Sequence, residues 1–584
     1  MQHASHPQTP RTYCGEHRGF IAAAALLSCA LAALGIVADA YRAADSIAGI
    51  AQVYGSAGGV AAAFLLRMLP LFAIGCGLGY LWSQSRRTSG EHRAAKPWNR
   101  RLFRIAALVI FLAWLPWIVA HYPGTMRDDT FAQALQWYGI FPYYTQHPVT
   151  DTVVFGAFWS LGDLLGSRAA GLFCYIVVQA LASALTFAAV ATYLDRIGAP
   201  RALVVGTVAF YALARVIYQP IDTMSKDALN GIPFTLFCLL LYEAIRTDLA
   251  ALRSRRFRIA FVAALVITAV TKRTMLYVAL LAIAIIALVR LARHRRVAPL
   301  LAGTTVSCVL ALGIWTPVVN HAVDASANPT YEMYSIPVQQ MVRTLKEYPR
   351  ALDAQDREQL GEFIDIDRAC RVYNPWRSDE ATGCIVDGSR FPVCLDIWLA
   401  LGAEHPASYA AATMNMVATW FSLDAPIDYG HDAQAELFTP ARMDAWVSFF
   451  DTRAQLDGFV ASLDVAPRGE LAPIRDALES LDSLQREMPF VSSYGLWCIA
   501  SPLITATYCL CTYGGRDLRY LCYLSIPLAL IASLLVGPIA LYWYSIPSVY
   551  ICPLILGIPF AMVSGERKHT DDKDAAAPDT RRIV

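Results

Sequence analysis

Two adjacent carboxylates, Asp128 and Asp129, follow an apolar run in the segment Tyr122-Pro123-Gly124-Thr125-Met126-Arg127-Asp128-Asp129-Thr130. An acid at a membrane surface is suited to take a proton from a hydroxyl, and interfacial acids tend to be functional. Helical register splits the pair. A helix over 126–138 that stops at Gly139 takes Thr125 as its N-cap and puts Asp128 three residues on, a capping box with Asp in place of Glu. Asp128 then caps the helix and complements its dipole. Asp129 points about 100° further round, on the face that carries Gln133 and Gln136 at i+4 and i+7. Asp129 is therefore the candidate general base, with Asp128 as second member of the catalytic pair and the two amides as groups to hold an acceptor. The plainer reading of Asp129 is a solvated surface acid.

Further polar residues recur at the ends of apolar runs. His147-Pro148 opens a helix, since Pro favours the first helical position; His147 is either a turn histidine or a donor to a phosphate or sugar oxygen. In Asp222-Thr223-Met224-Ser225-Lys226-Asp227, Ser225 can cap the following helix, while Asp222, Lys226 and Asp227 can complete a polar site with Asp129. Lys272-Arg273 lies between two apolar runs, where paired cations either snorkel or bind a lipid phosphate at headgroup level. Arg215 is a further cation near a span end. There is no Gly-x-x-x-x-Gly-Lys loop and no Cys-x-x-Cys pair, and Cys509-x-Cys511 reads as core rather than a metal site.

The elements that must position these groups are membrane helices. The chain of 584 residues is 56% hydrophobic and only 16% charged, against about 25% charged in soluble domains. Its net charge of +2 is segregated and leaves no nucleic-acid footprint. The fold class expected is an all-α polytopic membrane protein. Spans are predicted at 18–40, 57–83, 103–121, 168–194, 201–219, 228–246, 257–273, 274–292, 297–318, 489–512, 518–538 and 540–562, twelve in all. The first apolar run is longer than a signal-peptide core of about 7–15 residues, so it reads as a retained helix despite Ala38-Asp39-Ala40.

Arginine and lysine clusters at 84–104, 246–258 and 290–296 are expected on the cytoplasmic side, with both termini. Residues 148–165 are apolar enough to span, yet a span there would turn the 246–258 cluster outward; they are expected to lie in the outer interface. Asp129, His147, Lys226 and Lys272 then share the outer side. The organisation expected is 1–102, two helices and a basic loop; 103–318, a membrane core; 319–488, a mainly helical extracytoplasmic domain; 489–564, the last spans; and 565–584, a disordered tail. Cys370, Cys384 and Cys394 in the outer domain allow one disulfide, with Cys370–Cys384 preferred.

The order of these features resembles the GT-C class of integral-membrane glycosyltransferases. The matching residues are Asp128-Asp129, His147-Pro148, Gly166-Ser167-Arg168, Asp222 to Asp227 and Lys272-Arg273, over roughly 103–320. A closer resemblance is to a little-characterised bacterial GT-C-like family with Tyr-Pro-Gly, Asp, and Gln four residues on (Tyr122-Pro123-Gly124, Asp129, Gln133), and a Pro-x-Gln-Gln-x-x-Arg signature (Pro337, Gln339, Gln340, Arg343). Where that family carries Arg-Tyr before the last span, this chain has Trp543-Tyr544. The resemblance implies an inverting transfer of a sugar from a polyprenyl-phosphate carrier to a hydroxyl of a glycan, lipid or protein outside the membrane, in cell-envelope assembly. Asp129 would act as base and Lys272 and Arg273 would neutralise the leaving phosphate. Some members of the class use a divalent metal and others none; no metal ligands are assigned here. A transporter or flippase of a lipid-linked glycan and a non-catalytic envelope assembly protein are the alternatives. Against the transporter stands the clustering of polar residues at the surface rather than in mid-span.

Overall fold

The structure, a computed structural model, describes residue 13 and residues 15–87, 95–327, 331–427, 432–488 and 490–564. Arg11, Arg93 and the 565–584 tail lie outside the described residues. Among the described residues the regular structure is helical apart from two strands of two residues each. Among the described residues nine helices are long and apolar enough to cross a membrane: Arg18–Ala44, Ala57–Gln84, Arg100–Ala120, Arg168–Arg196, Lys226–Arg246, Arg273–Leu291, Ala298–Ala322, Gly495–Tyr513 and Tyr542–Val563. The segment expected at 201–219 is two helices, Arg201–Leu213 and Arg215–Asp222, bent by 58° at their junction. Helices Arg255–Thr271 and Arg519–Leu535, of 17 residues each, occupy two more of the expected positions. The protein is an all-α, multi-pass membrane protein.

Lys226–Arg246 and Tyr542–Val563 are the most enclosed spans, with 83% and 89% of their apolar windows buried. They pack on each other, and Lys226–Arg246 also packs on Arg255–Thr271. Tyr542–Val563 carries Pro547, Pro553 and Pro559 inside the helix, which neighbouring helices make tolerable. At the periphery, Leu26, Leu66, Leu108 and Val205 are exposed, as lipid-facing side chains are. The first helix runs unbroken through Ala38-Asp39-Ala40, and Asp39 is buried against Arg67 and Tyr54.

Residues 319–488 do not form the single unit expected. Val338, Val342, Leu360, Phe363 and Leu401 belong to a separate small core. Met416, Trp420, Leu437 and Leu456 instead join the core of the membrane helices. Gln339, Gln340 and Arg343 serve the small core: Gln339 donates to the Asn374 carbonyl at 2.9 Å, Gln340 bonds Thr413 and Trp398, and Arg343 pairs with Asp45 and Glu347. The three cysteines are separate thiols aimed at three different carbonyls, of Val342, Glu380 and Gln359, so the Cys370–Cys384 bridge is not formed.

The helix after His147 runs Val149–Leu164 with Pro148 as its N-cap. It packs on Arg168–Arg196 and on the short helix Asp128–Trp137. The contact is close because residue 156 is glycine: a Cβ there would fall 2.0 Å from the Trp137 ring. Trp137 Nε1 also donates to Ser160, one turn further along the same helix, at 3.1 Å. Gly156→Ala should therefore lower stability by about 1–3 kcal/mol through overpacking, read as a lower thermal midpoint in detergent. An unchanged midpoint would contradict the packing described.

Candidate functional site

The two strands are Thr125–Met126 and Thr223–Met224, paired in parallel with Thr125 opposite Thr223 and Met126 opposite Met224. Each leads straight into a helix, Asp128–Trp137 and Lys226–Arg246. The ladder is held from below. Gln179 donates to the carbonyls of Ile221 and Thr223 at 2.9 and 3.0 Å, and Thr130 donates to the Met224 carbonyl at 2.7 Å. Gly124 has φ +105, and a Cβ there would meet Ile176 at 2.7 Å; only glycine fits this entry.

The register superposes Thr125-Met126-Arg127-Asp128-Asp129 on Thr223-Met224-Ser225-Lys226-Asp227. This short repeat is a sequence signal for the site that helical register alone does not carry. It corrects the capping-box expectation as well. Thr125 is a strand residue, so the helix begins three residues later, with Arg127 as N-cap and no side-chain cap. Asp128 pairs with Arg442 instead. Ser225 does cap the second helix, accepting from the Ala228 N–H at 3.2 Å.

Four side chains converge between the helix starts. Lys226 Nζ donates to Asp129 Oδ2 at 2.6 Å and lies 2.7 Å from His147 Nδ1. An ammonium only donates, so Nδ1 accepts and the imidazole proton sits on Nε2, 3.4 Å from Asp129 Oδ1. Asp227, the fourth, is salt-bridged to Lys272, whose Nζ is 5.1 Å from the Tyr544 ring centre. Burial alone would raise the Asp129 carboxyl; the Lys226 ammonium overrides it and holds the group well below the usual carboxylate range. Burial, with repulsion from Lys226 second, lowers His147 to about 4, so it is neutral at pH 7. Burial raises Asp128 despite Arg442.

Asp129, His147, Lys226, Asp227 and Tyr544 line a cavity of about 470 Å³. Its rim carries Arg127, paired with Glu436 and 5.0 Å from the Tyr542 ring, Arg442, paired with Asp128, and Arg377, 2.8 Å from Asp379. Arg377 and Arg442 lie far from Asp129 in the chain and carry no local signature, whereas Arg127 stands two residues before it. Asp151 was also missed. It is fully buried in the first turn of Val149–Leu164, and neither carboxylate oxygen has a hydrogen-bond partner among the described residues. Burial pushes its carboxyl well above the usual range.

Other expected residues sit elsewhere. Gln133 and Gln136 are buried, donating to Thr152 and to the Pro142 carbonyl; they brace the Asp129 helix and do not line the cavity. Asp222 is buried under the ladder, 3.1 Å from His121. Lys272 lies behind Asp227 rather than on the cavity wall, and Arg273, beside it, does not line the cavity either. Arg215 bonds Asp482 and the Ile427 carbonyl. Among the described residues no group of three or more His, Cys, Asp or Glu side chains could hold a metal ion.

Two outcomes follow from this geometry. Removing one member of a buried ion pair costs about 3–5 kcal/mol, whereas replacing both members is often near neutral. Lys272→Met should therefore destabilise the protein strongly, and adding Asp227→Leu should restore most of the thermal midpoint; no restoration would count against the pair. For His147, the folded state holds fewer protons than the unfolded state between pH 6.5 and about 4. Its contribution to stability is complete above pH 6.5 and is lost as pH falls toward 4. His147→Gln should flatten that part of a stability–pH profile, and an unaltered slope would show that His147 does not titrate as stated.

No match was found among curated proteins or among solved structures. One family model does match, beginning after Asp129 and taking in His147, Lys226, Lys272 and Arg343. It covers residues 141–435, just over half of the chain, and the chain accordingly belongs to that family, described as a family of unknown function (DUF6020).

Proposed function

We propose that the chain is a GT-C-like membrane glycosyltransferase that moves a sugar from a polyprenyl-phosphate carrier to an acceptor hydroxyl on the outer face of the membrane, in cell-envelope glycan assembly. The observation that carries the reading is the Asp129–Lys226 pair, 2.6 Å apart and open to a cavity of about 470 Å³ at the ends of membrane helices. Twelve spans with cytoplasmic termini fit the arginines at the opposite helix ends, Arg100, Arg246 and Arg290.

In the resting site Lys226 makes Asp129 a weak base. A donor phosphate entering the cavity competes for the same ammonium. As Lys226 turns from Asp129 to a phosphate oxygen, the carboxylate loses its counter-charge and its proton affinity rises. Asp129 then takes the proton of the acceptor hydroxyl while that oxygen attacks the anomeric carbon. The bond from that carbon to the phosphate oxygen breaks, and the polyprenyl phosphate leaves with the electron pair. Lys226 and the rim arginines neutralise the added negative charge. A base opposite a fixed leaving group gives inversion. Neutral His147 keeps Lys226 and Asp129 in register without adding charge. In this reading Lys272 supports the site through Asp227 rather than touching the phosphate.

The test uses the purified full-length protein in lipid. Asp129→Asn should reduce sugar transfer from polyprenyl-phosphate-linked donors by about 10²–10⁴-fold, the range of general-base contributions, with folding and any lipid flipping intact. Transfer at the normal rate in that variant would overturn the assignment. Comparing envelope glycans with and without the chain identifies the donor and acceptor to supply.

A further inference from the structure

A second, smaller cavity of about 150 Å³ opens beside the first. The two share four wall residues: Asp128, Asp129, Gln146 and His147. Beyond those four the walls differ in kind. The larger cavity has Lys226, Arg127, Arg377 and Arg442. The smaller has no lysine or arginine; it has Phe141, Tyr144, Trp446 and Phe449. These rings brace one another. Phe141 meets Phe449 edge-on at 4.6 Å and Tyr144 edge-on at 5.1 Å, and Trp446 lies 6.0 Å from Phe449.

We infer that this second cavity is the acceptor subsite and binds an uncharged sugar ring, with the reacting hydroxyl at Asp129. The role as acceptor site rests on the transferase reading; the binding of a neutral sugar rests on the cavity itself. A pyranose presents an apolar C–H face and a rim of hydroxyls. Aromatic rings suit the face, and carboxylate oxygens with the exposed Gln146 amide suit the rim. An anionic ligand gains little, because no lysine or arginine lines the space. A cationic ligand gains little, because both carboxylates are already compensated, Asp128 by Arg442 and Asp129 by Lys226. What remains is a neutral polyol with one flat apolar face. The division also separates the two substrates. Phosphate belongs with the cations of the larger cavity and the acceptor ring with the aromatics, and Asp129 stands in the wall common to both.

The experiment is saturation-transfer NMR on the full-length protein in nanodiscs, with methyl glucoside, methyl galactoside and methyl mannoside as probes. At least one glycoside should receive saturation at its ring C–H protons, and excess inorganic phosphate should not displace it. Phe449→Ala should weaken that binding about tenfold, and Phe449→Tyr should retain it. If Phe449→Ala does not fold, Tyr144→Leu reads the same wall. The inference is overturned if no glycoside binds the wild-type protein. It is equally overturned if binding survives the folded ring-removal variants unchanged, or if phosphate displaces the sugar. Loss of transfer in Asp129→Asn with no glycoside binding would sink the subsite and leave the transferase standing. Ring-dependent glycoside binding without any transfer would do the reverse.

Discussion

The site depends on a ladder of two residues. Thr125–Met126 and Thr223–Met224 run parallel, so the two helices that follow start side by side and point the same way. Two helix N-termini then face one space, each with N–H groups that no carbonyl of its own helix takes and a positive dipole end. Acids in those first turns are stabilised, and Asp128, Asp129 and Asp227 stand there. Lys226 is the exception, a cation in the first turn of a helix. Asp129 and His147 hold it against the dipole. A strand pair that is buried must satisfy its backbone groups internally, and the Gln179 and Thr130 bonds meet that need. The site is thus placed by backbone pairing, which sets where the helices bearing Asp129 and Lys226 begin.

Charge in the cavity is almost fully compensated, and the pairs differ in how readily they separate. Arg377 and Asp379 are both more than a third exposed at the side chain, so water screens them and their separation costs little. Lys272 and Asp227 are both nearly inaccessible, where parting two charges is costly. Lys226 and Asp129 stand between: the lysine is 17% exposed and the carboxylate 42%. An anion that enters can exchange partners with the rim arginines and with Lys226, but not with Lys272. By this gradation Lys226 is the more accessible of the two lysines.

Local pattern made the membrane helices legible, because apolar length alone carries that signal. It also marked Asp129, His147, Lys226 and Asp227, since each sits where an apolar run ends. Local pattern failed where geometry is non-local. Gln133 and Gln136 lie on the predicted helix, but Thr152 and the Pro142 carbonyl claim them. Asp222 is one residue from the ladder and is turned under it toward His121. Arg442 and Glu436 come from more than 300 residues away, and no spacing rule reaches that far. The Thr125 cap failed for a subtler reason: a residue suited to capping was taken by a two-residue strand too short to predict.

The repeat across the ladder explains why Asp128 and Asp129 differ. Its equivalent positions are Asp128 with Lys226 and Asp129 with Asp227. Had the second copy also carried Asp-Asp, four carboxylates would surround two helix starts, and mutual repulsion would force some to hold protons. Lysine at one position breaks the likeness of the two copies and supplies a cation at the centre. Asp129 faces that cation and stays charged. Asp128, one residue back and turned about 100° away, faces Arg442 on the cavity rim and is raised by burial. Asp129 thus meets a cation from the second copy of the repeat, whereas Asp128 meets Arg442 from outside it.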